Sequence, residues 1–327
     1  MNEAISIRNI TKTYGPKTAV DALDLVVPEG SLYGFIGPNG AGKTTTIRMV
    51  MSIIFPDRGE ISVLGRRSAV ESKDRIGYLP EERGVYRKMR VGAFLAYMAA
   101  LKGSGDAPGR PLKARVREWL DRVGLADCER KRCMELSKGM QQKVQFLASI
   151  IHDPELIILD EPFSGLDPVN ARLMRDLIHE MHARGRTIIF STHVMQHAES
   201  ICDHVVMIHK GRKALDASIP EIRGRFDPRS IVFEPSSPDH AADRAGKVEG
   251  VVKVRTDSHA FEATLAPGVE ASDVLARLAG VIPMRRIELR RPSLEDIFIG
   301  LVKGDEEEGA LRASLREQAT GGGDHGA

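Results

Sequence analysis

Gly37-Pro38-Asn39-Gly40-Ala41-Gly42-Lys43-Thr44 fits the pattern G-x-x-x-x-G-K-[ST] at every fixed position, and its neighbours decide whether the match has meaning. Before it, Ser31-Leu32-Tyr33-Gly34-Phe35-Ile36 is an apolar run between Gly30 and Gly37, the pattern of a buried parallel strand. After it, Ile47, Val50, Met51 and Ile54 fall at i, i+3, i+4 and i+7, which predicts one buried face of a helix. A Gly-rich turn can match by accident, but a strand-to-helix turn is the context this motif needs. There the glycines let backbone N–H groups curl round phosphates, the helix N-terminus adds partial positive charge, and Lys43 reaches the outer phosphates. Thr44 can ligate Mg²⁺ through its hydroxyl, and Thr45 extends the binding set into the helix. The expected ligand is a nucleoside triphosphate.

A chain of 327 residues is long for a single core, which predicts two domains. With 42% apolar and 28% charged residues the composition is that of a globular protein, so each domain has material for a core. The formal net charge of +2 is small and no dense Lys/Arg block occurs, so nucleic-acid binding gains no support. Cys128, Cys133 and Cys202 form no C-x-x-C pair, which argues against a zinc site or a disulfide framework and for reduced thiols. The start, Met1-Asn2-Glu3-Ala4-Ile5, lacks a basic region, and no run reaches bilayer-spanning length. Any membrane role is therefore borrowed from a partner.

Ile5 and Ile7, then Leu23, Leu25 and Val27, alternate with polar neighbours, which predicts a small antiparallel sheet with Tyr14-Gly15 between its strands. Tyr14 is an aromatic that could stack on a base. A short strand, Ile76 to Leu79, is broken by Pro80. From about 90 to 151 the period is helical: Phe94, Tyr97, Met98 and Leu101 form one expected buried stripe, Val116, Trp119, Leu120 and Val123 a second, Val144, Leu147, Ala148 and Ile151 a third. Gly103 to Gly109 reads as a flexible connector, and Leu136-Ser137-Lys138-Gly139-Met140 as a helix start with free N–H donors. Leu156 to Leu159 is an apolar strand ending in Asp160-Glu161, and Met174, Leu177, Ile178 and Met181 mark the helix behind it. Thr187 to Phe190 is another strand, ending in Ser191-Thr192-His193, and Val205 to Ile208 one more. Parallel strands bring their C-terminal ends to one edge, so the phosphate loop, Asp160, Glu161 and His193 are expected to meet there. Beyond about Glu221 short strands at 231–233, 251–254, 261–265 and 287–289 surround a helix carrying Val274, Leu275 and Leu278, before a capped helix start at Pro292-Ser293-Leu294-Glu295-Asp296. The expected organisation is an α/β nucleotide-binding domain over 1–220, a small α+β accessory domain over 221–303, and a disordered tail over 304–327.

The ordered set of Tyr14, the phosphate loop, Tyr78-Leu79-Pro80-Glu81, Leu136 to Gln142, Leu156 to Glu161, Ser164-Gly165-Leu166-Asp167 and Ser191-Thr192-His193 resembles the ATP-binding cassette (ABC) ATPase subunits over about residues 1 to 220. The resemblance implies a P-loop NTPase cassette: antiparallel β subdomain, parallel-sheet core and helical subdomain. Its implied cofactors are ATP and Mg²⁺. Lys43, Glu161 and His193 are then the catalytic candidates: Glu161 orients or deprotonates the attacking water, and His193 donates to the γ-phosphate. Tyr14, Gly37, Pro38, Asn39, Gly40, Ala41, Gly42, Lys43, Thr44, Thr45, Ser137 and Gly139 are the nucleotide-binding candidates. Thr44, Glu81 and Asp160 are the metal candidates.

Ser137 and Gly139 begin a helix in a separate section, so they are not expected to reach their own phosphate loop. The resemblance implies that two cassettes pair head to tail, the signature of one closing over ATP held by the other, with Asp167 at the seam; one cassette per chain implies a homodimer. Two departures from the family pattern stand out. Glu81 occupies a position that usually carries Gln, and Lys138 and Met140 replace the usual Gly and Gln of the signature. The run Tyr78 to Gly84 and the ending Pro292 to Phe298 further resemble ATPase subunits of ABC-2-type exporters, which include sodium and drug efflux systems. That likeness implies a cytoplasmic subunit on the inner face of the membrane, bound to a separate permease near Tyr86, Arg87 and Met89. The alternatives are a non-transport ABC ATPase acting on DNA or ribosomes, which usually carries coiled-coil insertions or two cassettes, and a non-catalytic ATP-dependent dimerisation switch, against which Glu161 argues.

Overall fold

Alternating apolar and polar residues at the start of the chain build two long strands, β1 (Glu3–Tyr14) and β2 (Lys17–Pro28), in the computed structural model of the protein. The structure describes residues 2–82, 84–103, 111–225, 230–257, 260–290 and 292–302. β1 and β2 pair antiparallel, with Ile7 opposite Leu25 and Ile10 opposite Leu23. The fully buried β3 (Leu32–Ile36) precedes the phosphate loop and α1 (Lys43–Val50) follows it. β4 (Arg58–Val63) then returns to the free side of β1, completing a sheet of order β2-β1-β4.

β5 (Ile76–Leu79) leads into a helical section of α2 (Val91–Leu101), α3 (Leu112–Arg122) and α4 (Lys138–Ile150). The chain returns through β6 (Leu156–Asp160), α5 (Pro168–Ala183), β7 (Thr187–Thr192), α6 (Met195–Ile201), β8 (His204–His209) and β9 (Arg212–Ser218). The main sheet has the order β5-β6-β7-β3-β8-β9; its first five strands are parallel and β9 is antiparallel. The phosphate-loop strand thus lies inside the sheet, hydrogen-bonded on both sides. Ile5, Ile7 and Leu25 of the small sheet, Ile47 and Val50 of α1, and Phe35, Ile158 and Ile189 of the main sheet belong to one buried cluster. Each such side chain contributes about 1.5–3 kcal/mol on burial, so α1 and the loop before it are anchored from two sheets.

The chain divides into two compact units, Met1–Ile219 and Pro220–Ala327. At the division lies α7 (Ile219–Arg225), and the second unit holds β10 (Ser230–Pro235), α8 (Ala241–Gly246), β11 (Val251–Asp257), β12 (Ala260–Leu265), α9 (Ala271–Val281), β13 (Met284–Arg290) and a helix over residues 294–302. Its antiparallel sheet, ordered β11-β12-β10-β13, packs α8 and α9 around Phe233 and Phe261, whose rings stack at 5.4 Å. Residues 104–109 of the expected connector and the expected tail, 304–327, lie outside the described residues. Among the described residues no helix is long and apolar enough to cross a membrane.

Two periodicity readings need correction. α1 stops at Val50, and Met51 and Ile54 reach the core from the turn that follows, so the apolar stripe outruns the helix. In α2 the buried face is Val91, Phe94, Leu95 and Ala99, whereas Tyr97 and Leu101 are exposed. α2 packs on both α3 and α4, which favours Leu95 and Ala99, while Tyr97 leans edge-on against Tyr86 at 5.8 Å. α8, β4 and β9 have too weak an apolar period to be expected from sequence.

Candidate active site

Because β5, β6, β7 and β3 are parallel, the segments that follow them arrive at one edge of the sheet: Glu81 after β5, Glu161 after β6, His193 after β7 and the phosphate loop after β3. The loop's shape depends on glycine at two points. Gly37 has φ 154° and a Cβ there would sit 2.3 Å from the Ile208 carbonyl oxygen; Gly42 has φ 111° and its Cβ would meet the Ala19 carbonyl oxygen at 2.5 Å. Gly42 is also the residue before α1, which has no side-chain cap and no acidic residue in its first turn. The first-turn N–H groups and the positive end of the helix are thus directed at whatever the loop encloses.

Lys43 is 7% exposed, and its ammonium donates to the carbonyl oxygens of Gly37 at 2.7 Å and Pro38 at 3.2 Å. Burial lowers its pKa, against the opposing fields of Glu161, Asp160 and Glu81. Ala41 N donates to the Pro38 carbonyl at 3.1 Å, closing the loop on itself. A cavity of about 350 Å³ opens at the loop, lined by Tyr14, Asn39, Gly40, Gly42, Lys43, Thr44, Thr45, Glu81 and Glu161. Lys17 and Ala19 line it too. Sequence reasoning missed both; the signal for Lys17 was its place opposite Tyr14 across the β1–β2 hairpin. Gly37, Pro38 and Ala41 shape the loop without lining the cavity; Asp160 and His193 do not line it either, but Asp160 meets its Thr44 and His193 its Glu161.

Asp160 is 1% exposed, and burial raises its pKa. Its Oδ1 accepts from the Ser191 hydroxyl and, at 3.5 Å, from Thr44 Oγ1, while Oδ2 is buried with no hydrogen-bond partner among the described residues. A buried carboxylate oxygen without a donor costs free energy unless a cation answers it. The hard oxygen set of Asp160 and Thr44, with Glu81 at the same cavity, suits Mg²⁺. The sequence placed Ser191 in the Ser191-Thr192-His193 run but not among the site candidates; a hydroxyl at the end of an otherwise apolar strand was the available sign.

Glu161 stands at φ 50°, a left-handed conformation that costs a bulky residue about 1–3 kcal/mol. Neighbouring contacts hold it there: its N–H donates to the Ser191 carbonyl at 3.1 Å, and its own carbonyl accepts from Ser164 N at 3.1 Å. Oε1 accepts from His193 N at 2.9 Å and His193 Nδ1 at 2.7 Å, and Oε2 from Thr192 Oγ1 at 3.3 Å. Since a carboxylate accepts, the Nδ1 of His193 carries its proton, and a neutral ring leaves Nε2 as acceptor. Ser137 caps α4, its hydroxyl accepting from Met140 N at 3.3 Å, and neither Ser137 nor Gly139 lines the cavity.

Known proteins resemble this chain along most of its length. An ABC transporter ATP-binding protein of Bacillus subtilis (strain 168), YhaQ, is 39% identical over 298 residues, covering 90% of this chain and 97% of that protein. This chain belongs to the ABC transporter ATP-binding family. The family profile described as ABC transporter matches residues 20–164, and a profile described as ATP-binding protein DrrA1-3-like, C-terminal domain, matches 218–302. The daunorubicin resistance ATP-binding protein DrrA3 of Streptomyces coeruleorubidus is 32% identical, covering 92% of this chain and 96% of that one. A solved ATP-binding subunit of an ABC transporter superposes with TM-score 0.63 at 30% identity, covering 68% of this chain and 92% of that one. As an ABC member the chain is an ATP-binding, ATP-hydrolysing subunit, with the cassette's parallel-sheet core and antiparallel sheets.

Proposed function

We propose that this ABC ATPase hydrolyses ATP between two copies of the chain and drives export through a separate membrane-spanning permease of the ABC-2 type. Glu161 is the observation that carries the catalytic part: a carboxylate held in a strained conformation beside Lys43, at the mouth of the phosphate loop. Tyr14 at the cavity's rim offers a ring for the base, and the loop from Gly37 to Thr45 offers donors for the phosphates. Lys43 neutralises the outer phosphates, Glu161 takes up the proton of the attacking water, and His193, fixed by its Nδ1 bond to Glu161, turns its other ring nitrogen to the terminal phosphate. Thr44, Asp160 and Glu81 hold Mg²⁺, which supplies charge neutralisation on the phosphate oxygens.

Pairing is supported by the separation of Ser137 and Gly139 from the cavity in their own chain. The helix start they form then presents its N–H groups to a nucleotide on a second copy. Export is supported by the names of relatives, daunorubicin resistance and bacitracin transport among them. The permease contact we propose is the surface of Tyr86, Arg87 and Met89, supported by the exposure of Tyr86, whose ring packs edge-on against Phe94 and Tyr97. The cytoplasmic face of the membrane is the corresponding location, and nucleic acid is no part of the proposal.

Comparing ATP turnover of the wild type with Glu161→Gln tests the catalytic core of this reading. General-base loss lowers turnover by about 10²–10⁴-fold while nucleotide binding persists. Equal rates would instead make the chain a switch that binds without hydrolysing.

A further inference from the structure

α4 carries more than the signature. Two turns beyond Ser137 on the same helix, Gln145 is 5% exposed, and its Nε2 donates to the Glu82 carbonyl at 3.1 Å and the Pro80 carbonyl at 3.4 Å. These are the two carbonyls that flank Glu81. Rotating the amide would set its oxygen against two acceptors, so the chemistry of the partners fixes the orientation. The consequence is a buried Oε1 without a hydrogen-bond partner among the described residues, a cost that the two donated bonds must offset. β5 ends at Leu79, and Pro80 has no N–H with which to extend the sheet, so ladder bonds do not hold the segment beyond it. Glu82 meets Arg48 of α1 only at 3.8 Å and with both side chains well exposed, which is a weak restraint. The Gln145 amide is therefore the buried strut of a loop whose central carboxylate lines the nucleotide cavity.

We propose that Gln145 is a positioning residue: it fixes the distance of the Glu81 carboxylate from the phosphate loop. The inference rests on the reading of Glu81 as a metal-side residue.

The test uses the full-length chain and a fluorescent ATP analogue, titrated with Mg²⁺ and with EDTA. The quantity of interest is the gain in affinity that Mg²⁺ confers. Gln145→Met keeps the side chain's length and removes its donors; with both bonds lost, the gain falls by about thirtyfold, with affinity in EDTA unchanged. Placed on Glu81→Ala, the same substitution has no further effect, because the residue through which Gln145 acts is already gone. Equal losses with and without Mg²⁺ would mark a merely structural amide and overturn the proposal, as would additive losses in the double variant. An undiminished gain in Glu81→Ala overturns the metal-side reading itself, and this inference with it. A full gain in Gln145→Met beside a reduced one in Glu81→Ala overturns this inference alone. Should the methionine variant fail to fold, Gln145→Leu serves the same cycle, and faster amide exchange at Glu81 and Glu82 in the nucleotide-free protein is the expected companion result.

Discussion

Glu81 occupies a position where the family pattern has an amide, and the chemistry of the site makes that tolerable. A metal ion accepts a carboxylate oxygen or an amide oxygen alike, and both side chains have the same reach. Glu81→Gln is therefore expected to retain turnover within about threefold, since one ligand charge is lost while the oxygen remains. Steady-state ATPase rates across a Mg²⁺ series check this, with the half-saturating Mg²⁺ rising modestly in the variant. Complete loss of activity would give the carboxylate a role that an oxygen alone cannot fill. Asp160 differs, being 1% exposed with a buried oxygen that no donor meets. An amide there would turn an N–H₂ toward either the Ser191 and Thr44 hydroxyls or the cation.

At the level of elements, α4 and β5 are tied by a residue with no part in the chemistry. His152, just past α4, donates from Nε2 to the Ile76 carbonyl of β5 at 3.1 Å, and Lys102 donates to the same oxygen at 3.1 Å. The His152 Nδ1 is buried with no partner among the described residues. Burial, with the Lys102 charge second, pushes the His152 pKa down to about 4 from an ordinary value near 6.5. A histidine held neutral in the folded state stabilises the fold fully above the unfolded value. As pH falls from about 6.5 to about 4 only the unfolded chain gains the proton, so stability drains across that window and levels off below it. His152→Gln keeps a donor for Ile76 and removes the titration. Its thermal midpoint is expected to vary less between those pH values than the wild type's, and an unchanged slope would assign the pH dependence elsewhere. The main sheet's far edge is bound in a similar way, where Asp216 of β9 accepts from Tyr33 at 2.6 Å and His204 at 2.8 Å, and these bonds, with Lys213, hold its carboxyl far below the ordinary range despite burial.

On the scale of the whole molecule, the absence of Ser137 from the lining of the phosphate-loop cavity makes a prediction that depends on protein concentration. Ser137→Ala is expected to leave nucleotide binding to the monomer unchanged, because the residue lines no part of that cavity. In the Glu161→Gln background, where ATP persists, the same change weakens ATP-induced pairing by about tenfold through loss of one hydrogen bond to a charged group. Light scattering across a dilution series with ATP and Mg²⁺ measures it. Weaker binding of ATP to the monomer would instead place Ser137 over its own nucleotide. The second unit, with its own sheet and core around Phe233 and Phe261, matches the DrrA-like C-terminal profile as a separate module.

Local chemistry alone determined the centre of this protein. The phosphate loop could be read because Gly, Lys and Thr at fixed spacing leave few other conformations to the backbone; β3, β6 and β7 could be read because a strand buried on both faces must be apolar throughout. Where burial comes from one neighbour or none, the pattern fades. β9, Arg212-Lys213-Ala214-Leu215-Asp216-Ala217-Ser218, is a polar edge strand made by pairing with β8, and nothing in its own residues demands it. The phase of α2 went wrong for a related reason, since Tyr97 and Leu95 are both apolar and only packing on α3 and α4 chooses between them. Tertiary structure likewise decided the connections of the site: the Glu161–His193 bond, Ser191 on Asp160, and Gln145 on the Glu81 loop join residues far apart in the chain. Such side-chain bonds leave no periodicity behind, because each depends on where two separate elements meet.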